Sequence, residues 1–118
     1  MEGFLEKAHE AGRLIAQSDD YKALKRADER LSDDREAVEL FNQLSSLEEE
    51  ISGALRSGQE PSQAQQESYQ ALVERLQQRT TYQAMVAAQA NFERLMTRVN
   101  EEIARGIEAG EKSRIILS

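Results

Sequence analysis

Apolar residues recur along this chain at intervals of three and four, the period of an amphipathic helix. The dominant stretch is 80–109, where Tyr82, Met85, Phe92, Met96, Val99 and Ile103 follow helical spacing. Thr80 with Gln83 three residues on forms a capping-box pattern, and Gly110 offers a C′ stop. At 1.5 Å per residue the predicted helix spans about 45 Å. A second long helix is predicted over about 33–57. There Ala37, Leu40, Leu44, Leu47, Ile51 and Ala54 keep the strict alternation of a coiled-coil seam, and Phe41 and Leu55 widen the stripe. Asp33 with Glu36 reads as its capping pair.

Three shorter helices complete the pattern. Residues 3–17 carry Phe4, Ala8, Ala11 and Ile15 on one stripe, with Leu5 and Leu14 flanking it. Ser18 then caps a short helix bearing Tyr21, Leu24, Ala27 and Leu31. Residues 57–62, Ser-Gly-Gln-Glu-Pro-Ser, form the clear loop. Ser62 and Gln65 open a fourth helix with the stripe Tyr69, Leu72, Val73 and Leu76. It meets the fifth near Arg79-Thr80 in a tight turn or a kink. The expected fold is therefore all-α: one domain, 1–118, built as an elongated five-helix bundle. Its two long helices pack nearly antiparallel as a coiled-coil-like hairpin. Residues 110–118 are a flexible or partner-bound tail.

Composition narrows the chemistry. The 118 residues include one His and no Cys, which removes disulfides, thiolate nucleophiles and Cys-ligated metal centres. A net charge of −7 argues against nucleic acid or an anionic membrane as partner of the domain as a whole. The N-terminal stretch is charged throughout, without a signal-peptide core, so a cytoplasmic location is the expectation. No catalytic motif and no cofactor-binding or metal-binding residue emerges. His9 lies beside Glu6 and Glu10, but a single E-x-x-H is weak against a di-iron bundle's two such motifs plus two further carboxylates. Glu48, Glu49 and Glu50 fan around a helix and do not converge.

Two contact surfaces remain as candidates. Ala84, Ala87 and Ala88 permit close helix approach, and Ile115, Ile116 and Leu117 lack a partner in any stripe. Together they predict a protein–protein contact, with a homodimer or larger homo-oligomer as its product. Gln89 either sits in this helix's seam or is bypassed by the stripe Met85, Ala88, Phe92, Leu95 and Val99. The alternative surface is basic: Lys22, Lys25, Arg26 and Arg30 share much of one helix face and offer phosphate contacts to RNA. Asp19, Asp20, Asp28 and Glu29 interleave with them, which favours ordinary surface ion pairing.

One stretch carries a family likeness. Ala8-x-x-x-Gly12-x-x-Ile15-x-x-Ser18-Asp19-x-Tyr21-Lys22 leads into an acid-rich helix. Leu40-Phe41-x-x-Leu44-x-x-Leu47 follows, then the Gly58…Pro61 loop and Phe92-x-x-Leu95-Met96-x-x-Val99-Asn100. Over about residues 4–104 this resembles the YlbF/YmcA/YheA family of small bacterial helical proteins. The resemblance implies an all-α fold, self-association and a non-enzymatic regulatory role, with other family members as further partners in a complex. The implied setting is a cytoplasmic complex influencing ribonuclease Y-dependent mRNA processing, competence, sporulation and biofilm formation. Some such complexes are associated with cysteine-ligated iron–sulfur clusters. A chain without Cys supplies no such ligand, which points to the YheA-like branch.

Overall fold

The computed structural model describes the backbone of residues 2–117 and the side chains of residues 2–112. Five helices run in order: α1 (Glu2–Ala16), α2 (Asp19–Asp33), α3 (Arg35–Arg56), α4 (Gln63–Gln77) and α5 (Thr80–Leu117). The described residues contain no strand.

Each break between helices has a local cause. The Ser18 hydroxyl donates to the Ile15 carbonyl at 2.6 Å and accepts from the Tyr21 amide at 3.2 Å, closing α1 and capping α2 with one side chain. Asp34, one position later than the sequence pattern indicates, is the N-cap of α3 and accepts from the Ala37 amide at 3.3 Å. Gly58 ends α3 with φ of 80°. The Gln59 amide donates to the Ala54 carbonyl at 2.8 Å and the Gly58 amide to Leu55 at 3.0 Å, the paired bonds of a Schellman motif. Ser62 and Gln65 form the expected reciprocal capping box of α4.

Between α4 and α5 the chain turns rather than kinks, through Gln78 and Arg79. The Gln83 amide bonds to the Arg79 carbonyl at 3.0 Å, so Arg79 and not Thr80 occupies the cap position. The Gln83 side chain reaches the Gln77 carbonyl at 2.8 Å instead of closing a box with Thr80. At its other end α5 continues through Gly110, which lacks the positive φ of a helix stop.

The chain divides into two units. The first comprises Met1–Leu24 with Ala88–Ser118, the second Lys25–Ala87. The second has a core: Ala37, Leu40, Leu44 and Leu76 are buried, with Leu31, Leu72, Val73 and Tyr82 packed against them. Its main helix pair is α3 with α4. The seam on α3 therefore faces the neighbour across the six-residue connection 57–62, and α5 adds Tyr82 from its first turn. A wide stripe states that α3 has two neighbours; the short connection brings α4 into the larger contact.

Candidate interaction surface

The first unit is nearly without a core. Among its described residues Ala88 alone is buried, and α1 buries none. Tyr21 and Phe92 pack with ring centroids 5.7 Å apart, tilted at 56°, and hold α2 to α5. Beyond them the apolar stripes continue without cover. Phe4 and Leu14 of α1 are 70% and 57% exposed, and Leu5 is exposed on the opposite flank of the stripe from Leu14. On α5 Leu95 and Val99 are half-buried, while Ile103 and Ile107 are 57% and 66% exposed. Ala11 faces Leu95, Val99 and Ile103 across an open groove of about 750 Å³. Arg98, Glu102 and Arg105 stand at its edge, with Arg105 donating to Glu102 at 2.9 Å. An apolar floor with a charged rim on two amphipathic helices is the anatomy of a protein contact.

The second unit carries a polar knot that sequence spacing does not reveal. Asp34 caps α3 and also receives Arg79 in a two-pronged ion pair and the Thr81 hydroxyl. Arg79 extends to Glu36 at 2.9 Å, and Arg75 approaches the same carboxylate at 3.7 Å. The Thr81 hydroxyl, then Arg79 and the Ala37 amide, hold the Asp34 carboxyl below its usual range against partial desolvation. The Asp34 hydrogen bond, with the charges of Asp34 and Glu36, pushes Arg79 further up. The knot ties the start of α3 to the α4–α5 turn.

Residues 4–108 match the model of a family described as "Control of competence regulator ComK, YlbF/YmcA". The chain belongs to the YlbF/YmcA family. A "UPF0342 protein" of Lactobacillus delbrueckii subsp. bulgaricus is 29% identical over 105 residues, 89% of this chain and 90% of the relative. A "UPF0342 protein" of Leuconostoc citreum is 22% identical over 102 residues, 86% of each chain. The family is a regulatory one by its description, and its bacterial relatives match nearly end to end.

In this YlbF/YmcA member the sequence-derived candidates fall as follows. Ala84 and Ala87 are exposed, whereas Ala88 is covered by its own chain. Gln89 is exposed, and the stripe Met85, Ala88, Phe92, Leu95 and Val99 bypasses it. Ile115, Ile116 and Leu117 lie outside the residues whose side chains are described. Lys22 of the first unit and Lys25, Arg26 and Arg30 of the second are all exposed, and none forms an ion pair among the described residues. Glu6, His9, Glu10 and Arg13 line a shallow dish on α1, and no group able to hold a metal occurs among the described residues. With no Cys in the chain, no residue set fits a cysteine-ligated iron–sulfur cluster. No described helix is long and apolar enough to cross a membrane. Leu14 and Ile107, both uncovered, are not among the contact residues that the sequence pattern singles out. Their signal was in the periodicity, which places them on stripes but does not say whether a neighbour covers them.

Proposed function

We propose that the protein is a non-enzymatic regulatory adaptor working through helix–helix contacts, and that its first unit is completed by a second copy of the same chain. The supporting observation is the uncovered apolar surface of α1 and α5, where Phe4, Leu5, Leu14, Ile103 and Ile107 are each more than half exposed. Covering them is worth about 6 kcal/mol per chain, or about 12 kcal/mol for a two-fold pair that buries both copies. Association costs about 4–15 kcal/mol in lost freedom, which leaves at most about 8 kcal/mol, so micromolar is the tightest pairing these contributions allow. A reversible contact of that strength suits a component that exchanges between itself and other family members. Regulation of mRNA processing, competence, sporulation or biofilm formation in the cytoplasm is the setting that the family likeness supplies.

Co-purification from native cells tests the adaptor role. Wild-type protein should recover a stable protein partner, and Leu14→Glu should lose it while remaining helical. Recovery of no partner by the wild type contradicts the role. A second reading is RNA contact through Lys22, Lys25, Arg26 and Arg30, favoured by their lack of ion-pair partners. It requires affinity for RNA that falls steeply with salt and with Lys25→Glu or Arg26→Glu.

A further inference from the structure

The second unit holds a cleft that the self-association contact does not use. It opens between α3, α4 and the first turn of α5, with a volume of about 390 Å³. Leu44 and Leu76 are its buried floor, and Phe41, Tyr69 and Tyr82 are its aromatic walls. Phe41 and Tyr82 stand 6.0 Å apart between ring centroids, tilted at 54°, and Phe41 and Tyr69 are each 38% exposed. Glu48 lies in the lining, where the Tyr69 hydroxyl donates to its Oε1 at 3.4 Å. Among the described residues Glu48 forms no ion pair, and its Oε2 accepts no hydrogen bond.

The lining is not merely apolar. Three of the chain's six Phe and Tyr side chains converge here, around one carboxylate without a counter-ion. Ring faces are electron-rich, and they attract a cation where they repel an anion. The carboxylate adds negative charge beside them, and the Tyr69 hydroxyl approaches only one of its two oxygens, at 3.4 Å. An apolar floor beneath a negative rim fits a side chain with an aliphatic stem and a cationic head. Between the two such side chains, arginine matches better: its planar guanidinium stacks on a ring while its fork bonds a carboxylate.

We propose that this cleft is a socket for an arginine side chain presented by a partner protein. The stem lies over Leu44 and Leu76, the guanidinium stacks against Tyr69 and Phe41, and Glu48 accepts from it through Oε2. The chain's net charge of −7 draws a basic segment toward the site. The socket lies in the second unit, so it stands or falls independently of the contact made by α1 and α5.

The test is a titration of the intact protein followed by NMR of its three tyrosine rings. N-acetyl-arginine amide is the probe, and N-acetyl-citrulline amide is its neutral match in shape. The arginine probe should move the Tyr69 and Tyr82 signals, leave Tyr21 in place, and saturate in the millimolar range. Citrulline should bind at least about fivefold more weakly. Glu48→Gln, at an exposed position, should weaken arginine about fivefold and leave citrulline unchanged. Tyr69→Leu should abolish the Tyr82 shift with helical content retained. Equal shifts with arginine and citrulline, no shift at Tyr69 and Tyr82, or full arginine affinity in Glu48→Gln would each overturn the proposal.

Discussion

Asp34 and Arg79 lie 45 positions apart and meet through hydrogen bonds of 2.8, 2.9 and 3.1 Å. One carboxylate thereby begins α3 and anchors the turn into α5. The Asp34 side chain is 8% exposed and Arg79 35%, so neither charge is fully open to solvent screening.

The depressed Asp34 carboxyl sets a pH dependence. Its ordinary value is 3.8, and Thr81, Arg79 and the Ala37 amide lower it in the folded state. The folded protein therefore binds this proton less readily than the unfolded chain does. The stability it contributes is present above pH 3.8 and is lost as pH falls through the lower folded value. Acid titration followed by circular dichroism should show this loss in the wild type. Asp34→Asn keeps a cap acceptor but not the charge, and should melt lower than wild type at neutral pH with a smaller loss on acidification. An unchanged acid profile in Asp34→Asn would show that the knot contributes nothing.

Gly58 makes the second test. No atom lies within 4 Å of a Cβ built at this position, so an added methyl meets only the strain of a φ of 80°. Gly58→Ala should cost about 1 kcal/mol. Gly58→Asn should cost less, because Asn enters the left-handed region more readily. Denaturant melts with equal slopes would measure both. A neutral Gly58→Ala would mean that α3 ends by another route.

Leu44 and Leu47 occupy adjacent seam positions but differ in burial. Leu44 is 8% exposed inside the α3–α4 core, whereas Leu47 is only partly covered. The seam pattern alone treats them alike. Leu44→Asp should cost about 3–5 kcal/mol by placing an unpaired charge in the core. Leu47→Asp should cost less than half as much, because its carboxylate can reach water. Chemical denaturation of the two variants checks the order, and equal losses would contradict it.

How far the sequence speaks depends on the range of the interaction. The Ser62–Gln65 box and the Ser18 cap involve residues three apart and were legible, as were the helical stripes. The cap of α3 was misplaced by one residue because Ser32, Asp33 and Asp34 are all competent locally. Arg79 and Thr81, brought in by the fold, sit at Asp34. Thr80 and Gln83 carry a capping pattern, but Gln83 finds the Gln77 carbonyl across the turn. The α5 stripe from Phe92 to Ile103 was readable as apolar, but its lack of cover was not, because periodicity records a face and not its neighbour. The Glu48–Tyr69 contact, 21 positions apart, left no local signal at all.

The central claim is that the uncovered face of α1 and α5 is closed by a second copy, and light scattering across micromolar concentrations tests it most directly. Ile103→Glu is the control: the residue is 57% exposed, so a lone chain loses little by the change. The expected result is a mass near twice 13.3 kDa that falls toward 13.3 kDa on dilution. In Ile103→Glu it should be 13.3 kDa throughout, with helicity retained. A wild-type mass of 13.3 kDa at every concentration would contradict the account.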